Sequence, residues 1–170
     1  MSETVETGVP RRACMKRELR VLVIEDSEFD AQVMISLLRR AGYDPYMLRV
    51  ETRETLAEAI TGKTWDVILA DYNLPTFNAL DALTQIQEAG LDLPFIIVSG
   101  GIGEDIAVAA MKAGAHDYLM KGNLNRLAPA VERELREASI RSEQRTAKRH
   151  CWRASSGIGS CGKRPPTPWS

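Results

Sequence analysis

Asp66-Val67-Ile68-Leu69-Ala70-Asp71-Tyr72-Asn73-Leu74-Pro75 is the stretch that decides how this chain folds. Four apolar residues, Val67 to Ala70, run directly into a carboxylate, Asp71, and Pro75 stops the strand from continuing. A short apolar run without polar alternation reads as a strand buried on both faces, as in a parallel sheet. A carboxylate at its carboxyl end stands at the edge where open α/β sheets bind ligands. Alone, such an aspartate serves equally as a nucleophile, a metal ligand or a helix cap.

Working outward, Arg20 to Glu25 and Pro94 to Ser99 are two further apolar runs of strand length. Tyr46 to Val50 is a weaker strand at or near a sheet edge, and Asp117 to Met120 a short one. Helical periodicity fills the gaps. Ser27 or Asp26 caps a helix with Val33, Met34, Leu37, Leu38 and Ala41 on one face. Thr52 caps a second (Leu56, Ala59, Ile60), and Asn78 a third (Leu80, Leu83, Ile86). An Ala-rich helix spans about 104–113, and a last one begins near Asn123 or Asn125 with Leu124, Leu127, Val131, Leu135 and Ala138 on one side. Five strands alternating with five helices predict an α/β (βα)5 chain with a parallel sheet covered on both faces.

The 170 residues hold one domain with tails. A flexible segment is expected at 1–18, the domain at 19–138, and a basic linker and disordered tail at 139–170. Residues 139–170 carry seven Lys/Arg against one acid, whereas 1–138 carry 15 against 22. From Cys151 the composition turns to Gly, Ser, Pro, Arg and Trp without periodicity. No apolar run nears the roughly 20 residues of a membrane span, and the start lacks a secretory h-region. Three cysteines, all outside the apolar middle, argue against a disulfide framework and for a reducing cytoplasm. Cys151 and Cys161 beside His150 match no zinc spacing. His116 and His150 read as surface residues, and the basic tail as a solvated helix end rather than a nucleic-acid arm.

The chemistry gathers where the strands end. Parallel strands share one carboxyl edge, so Glu25 and Asp26, Asp71, Ser99 and Lys121 converge from four runs distant in sequence. Three neighbouring carboxylates repel unless a cation sits among them. All-oxygen ligands suit Mg2+, which keeps waters and needs only two or three protein groups. Such a cation offsets the charge of a phosphoryl group approaching Asp71. Lys121 and the Ser99 hydroxyl then contact phosphoryl oxygens.

On these residues the chain, from about Leu19 to Ala138, resembles the receiver domain of two-component response regulators. The resemblance rests on Glu25-Asp26, Asp71 within Asp-Tyr-Asn-Leu-Pro, Ser99, Tyr118 and Lys121 in register with five strands. It implies a flavodoxin-like doubly wound sheet in the order 2-1-3-4-5 and an extended last helix. It implies Asp71 as phosphoacceptor, with Lys121 and Ser99 assisting, and Ser99 and Tyr118 as switch residues. Metal ligation falls to Glu25, Asp26, Asp71 and the Asn73 main-chain carbonyl. The partner is a histidine kinase or phosphotransfer protein, with a homodimer through the last helices. The resemblance implies no enzyme in the ordinary sense: the domain catalyses only its own phosphorylation and dephosphorylation. Two residues depart from the pattern. Gly122 stands where proline usually follows the lysine, and a cis bond without proline costs about 3–4 kcal/mol, so a trans, reshaped loop is expected. Ala79 stands where glycine is common.

Three other functions compete. A non-phosphorylated interaction or dimerisation module would leave the acidic site vestigial. A phosphohydrolase of the haloacid-dehalogenase type wants a second Asp two positions after the nucleophile, and Asn73 is there instead. Flavin binding wants glycines and hydroxyls in the first loop, where this chain has Glu25-Asp26-Ser27-Glu28-Phe29-Asp30.

Overall fold

The computed structural model describes residues 16–101 and 104–156. Its strands are β1 (Arg17–Ile24), β2 (Tyr43–Val50), β3 (Val67–Asp71), β4 (Phe95–Ser99) and β5 (Asp117–Met120). The helices between them are α1 (Glu28–Arg40), α2 (Arg53–Gly62), α3 (Ala79–Glu88) and α4 (Glu104–Ala113). A 3-10 turn over Lys121–Arg126 leads into α5 (Leu127–Ser156). Every strand pairing is parallel and the sheet order is β2-β1-β3-β4-β5. The expected flavodoxin-like topology is met.

Strand periodicity of two divides the core into two layers. Leu22, Ile24, Ile68, Ala70, Phe95 and Ile97 pack on one face with Leu56, Leu83 and Ile86 of α2 and α3. Val21, Val23, Val67, Leu69, Ile96 and Val98 pack on the other with Met34, Leu38, Leu127 and Val131 of α1 and α5. Each such Val, Leu, Ile, Phe or Met side chain removed from water contributes about 1.5–3 kcal/mol. That repeated gain is why the strands carry no polar alternation. The helix starts follow from local hydrogen bonding: Ser27 Oγ accepts from the Asp30 N–H, and Thr52 and Asn78 each complete a capping box. Gly114 ends α4 at φ 107°, a backbone conformation that favours glycine; a Cβ there would meet the movable end of Gln87, so the backbone rather than packing requires it.

Several boundaries differ from the sequence expectation. β2 starts at Tyr43 rather than Tyr46 and includes Pro45, which an edge strand tolerates because β1 is its single sheet neighbour. In α1 the buried residues are Ala31, Met34, Ile35 and Leu38. Val33 and Leu37 are half-buried and Ala41 is exposed, so the stripe is turned toward Ile35. The last helix begins later than expected, because the 3-10 turn takes up Lys121 to Arg126. The largest correction lies past Cys151: the tail expected to be disordered remains helical through Ser156, and residues 157–170 lie outside the described part. At 1.5 Å per residue, the 30-residue α5 is about 45 Å long.

Charges hold that helix to the sheet's amino-terminal edge. Arg145 lies 3.0 Å and Arg141 3.5 Å from Asp92, and Arg133 pairs with Asp117 at 2.8 Å. His116 belongs to this contact and is half-buried, not a surface residue as expected. Its Nδ1 accepts the Phe95 N–H at 3.2 Å, and its Nε2 lies 3.2 Å from Arg141 Nη2. Burial lowers the His116 pKa below its ordinary 6.5 and Arg141 lowers it further, against the carboxylates of Glu134, Asp92 and Glu137. A depressed folded pKa makes this contribution complete above pH 6.5 and lost as pH falls toward the folded value. His116→Asn, which keeps an acceptor for Phe95, should narrow its stability difference from the parent as pH drops below 6.5. Paired thermal melts of the two proteins across that range measure it, since contributions common to both cancel.

Candidate functional site

The register of β1, β3, β4 and β5 builds the site. Ile24 pairs with Ala70, Asp71 with Val98, and Ser99 with Met120. Glu25 therefore emerges one residue past the last β1–β3 pair, beside Asp71. Alternation puts Glu25, Asp71 and Lys121 in phase with Val23, Leu69 and Leu119, on the α1/α5 side. Ser99 and Tyr118 are in phase with Ile97 and pack toward α3 and α4.

Glu25, Asp26 and Asp71 each offer an oxygen within 4.8 Å of the others. Glu25 is fully buried, Asp71 nearly so and Asp26 exposed. Lys121 Nζ lies 3.0 Å from Asp71 Oδ2, 3.2 Å from Glu25 Oε1 and 2.5 Å from Asp30 Oδ2. Its aliphatic stem passes over Gly100, with Cδ 4.0 Å from where a Cβ would stand. The ammonium is also 3.0 Å from Glu25 Oε2 but is not aligned to donate to it. That buried oxygen has no hydrogen-bond partner among the described residues.

These features fit a hard divalent cation. Burial raises the Glu25 pKa to about 7, the Asp71 charge adds to the rise, and Lys121 works against it. The Lys121 ammonium is disfavoured by burial but more strongly favoured by Asp30, Asp71 and Glu25, so its pKa is raised and it stays charged. One ammonium against Glu25, Asp26, Asp30 and Asp71 leaves excess negative charge. The unpartnered Glu25 oxygen and the exposed Asp26 oxygen would offer ligands from the protein and solvent sides, an arrangement suited to an ion that keeps its waters.

Other predicted residues fall around this centre. Ser99 is fully buried, and its Oγ lacks a hydrogen-bond partner among the described residues. The Tyr118 hydroxyl is likewise buried and unpaired among them, with its ring packed on the α3/α4 side. Asn73 donates its N–H to Asp71 Oδ1 at 3.4 Å and bridges to Asn78. The Lys121–Gly122 peptide is trans and opens the 3-10 turn. Ala79 is fully buried at the first position of α3 and donates its N–H to the Tyr72 carbonyl.

Two neighbours escaped the sequence reading. Asp30 follows Asp26 by one helical turn, a spacing that could have placed its carboxylate near the site. Arg49 donates to the carbonyls of Glu25 and Asp26, each at 3.1 Å, and pairs with Glu51. Nothing in an isolated Arg-Val-Glu sequence signals that clamp.

A family model for the response regulator receiver domain matches residues 21–132. The chain belongs to that family. Among relatives of this receiver, the cell cycle transcriptional regulator CtrA of Caulobacter vibrioides is 34% identical over 61% of this chain and 44% of its own length. The sensory/regulatory protein RpfC of Xanthomonas campestris is 30% identical, over 65% of this chain and 16% of its own. The chain thus spans less than half the length of these curated relatives. A receiver domain protein from Clostridium thermocellum is 25% identical with a TM-score of 0.62, covering 72% of this chain and 98% of that one. The beryllofluoride-activated NtrC4 receiver domain dimer is 27% identical with the same TM-score of 0.62, covering 70% and 98%. Receivers of this family bind Mg2+ at an acidic site, the role that suits Glu25, Asp26 and Asp71 here.

Mg2+ should stabilise this receiver, by about 2.7 kcal/mol at 100 times its Kd. Because charging Glu25 is disfavoured up to about pH 7, Glu25→Gln should raise the melting temperature at pH 8 in EDTA. The same substitution should remove most of the Mg2+-dependent rise. Thermal melts with and without Mg2+ test both effects.

Proposed function

We propose that Asp71 accepts a phosphoryl group from a partner's phosphohistidine, and that the resulting acyl phosphate switches this receiver between two conformations. The observation that carries this reading is the convergence of Asp71, two further carboxylates and Lys121 Nζ at 3.0 Å on one sheet edge. An Asp71 carboxylate oxygen attacks phosphorus, forming the O–P bond as the P–N bond breaks, and the electron pair leaves with the imidazole. A bound Mg2+, held by Glu25, Asp26, Asp71 and the Asn73 carbonyl, supplies neutralisation of phosphoryl charge. Lys121 contacts one phosphoryl oxygen as a point charge. The Ser99 hydroxyl donates to another, which gives a partner to a buried group that has none among the described residues.

Movement of Ser99 changes the space beside Tyr118, which follows it. The protein then shifts populations rather than turning over a metabolite, and catalyses only its own phosphorylation and dephosphorylation. The donor is a histidine kinase or phosphotransfer protein in the cytosol. The surface that reads the switch is the α4–β5–α5 side, where Val108, Met111, Met120 and Ile140 are exposed apolar residues suited to a homodimer. An intact set of carboxylates and lysine speaks against a vestigial interaction module.

Incubation with radiolabelled acetyl phosphate and Mg2+ should label the parent chain. Asp71→Asn should take no label, and EDTA should suppress labelling of the parent. Continued uptake by Asp71→Asn would refute the assignment.

A further inference from the structure

Lys121 has three ammonium protons and three carboxylate partners, and these partners are not equivalent. Glu25 and Asp71 belong to the trio whose oxygens lie within 4.8 Å of one another, and Asp30 is outside that trio. Yet Asp30 makes the shortest of the three contacts, 2.5 Å against 3.0 Å to Asp71 and 3.2 Å to Glu25 Oε1.

Geometry explains how Asp30 comes to be there. Ser27 caps α1 by accepting the Asp30 N–H at 3.2 Å, which fixes Asp30 in the first turn. Unpaired N–H groups at a helix start favour a negative charge in that turn. The side chain lies beside Lys121 in a small crevice walled by Phe29, Val33, Val98 and Leu124. The apolar walls limit solvent screening of the pair, whose side chains are 22% and 34% exposed.

We propose that Asp30 is a positioning residue that holds the Lys121 ammonium toward Asp71 throughout phosphoryl transfer. The proposal rests on Asp71 as phosphoacceptor and adds a residue to that machinery. When a cation draws on the Glu25 and Asp71 oxygens, and when phosphorylation occupies Asp71, two of the three contacts to Lys121 weaken. The contact with Asp30 persists, because its carboxylate serves neither the cation nor the phosphoryl group. A lysine stem has four rotatable carbons and loses its aim without such an anchor. Gly122, following Lys121, adds backbone freedom at the same place.

The test uses the full chain with Asp30→Asn, Asp30→Glu and, as control, Asp71→Asn. Phosphorylation by acetyl phosphate is followed at saturating Mg2+, and Mg2+ binding to the unphosphorylated proteins is measured by calorimetry. Asp30→Asn should lower the rate constant at saturating Mg2+ roughly tenfold, as expected for losing a charge-assisted hydrogen bond. Its Mg2+ dissociation constant should move by less than about threefold, since one screened charge outside the ligand set contributes little. Asp30→Glu should restore most of the rate. If Asp71→Asn remains silent while Asp30→Asn reacts at the parental rate, the positioning role is refuted and the phosphoacceptor stands. Equal losses of rate and Mg2+ affinity in Asp30→Asn would also refute it, by making Asp30 part of the cation site. Labelling of Asp71→Asn would overturn both.

Discussion

The excess of negative charge around the Lys121 ammonium is the constraint from which the site follows. Glu25, Asp30 and Asp71 lie within bonding distance of one nitrogen, and Asp26 stands beside them. Gathering several carboxylates at one buried edge is unfavourable unless opposite charge offsets it. One lysine offsets part of that charge. The remainder suits a cation-binding centre, and under the proposed function a phosphoryl group brought to it would meet both an amine and a metal. Structure and chemistry are thus linked through one local imbalance of charge.

The sheet makes that imbalance possible. Parallel strands end on the same side, and the pairings Ile24–Ala70 and Asp71–Val98 set Glu25 next to Asp71. Two apolar layers, one under α2 and α3 and one under α1 and α5, hold those pairings in place. A slip of one residue in β3 would turn Asp71 to the opposite layer. Core packing supplies the stability from which the unfavourable burial of Glu25 is drawn.

Much of this arrangement was legible in the sequence because short apolar runs ending in polar groups have few readings. Val67 to Asp71 and Phe95 to Ser99 announce both strand and edge, and Ser27, Thr52 and Asn78 announce helix starts through hydrogen bonds to neighbours. Contacts between distant side chains were harder to see. Asp30 reaches Lys121 across 91 positions, and Arg49 reaches the Glu25 and Asp26 carbonyls from the neighbouring strand. His116 looked like a surface residue because nothing local marks the Phe95 N–H or Arg141 as its partners. The helix past Cys151 was missed for a different reason. A Cys-Trp-Arg-Ala-Ser-Ser run without periodicity looks unstructured, yet it continues a helix that Arg141 and Arg145 tie to Asp92, and continuity with the packed first turns carries it on through Ser156.

A crystal structure of the full chain grown with Mn2+ in place of Mg2+, using the anomalous signal of the metal, tests the central claim most directly. One ion is expected in direct contact with carboxylate oxygens of both Asp26 and Asp71, with Lys121 remaining on the Asp30 side. An ion bound elsewhere, or Asp26 and Asp71 oxygens turned apart with no metal between them, would contradict it.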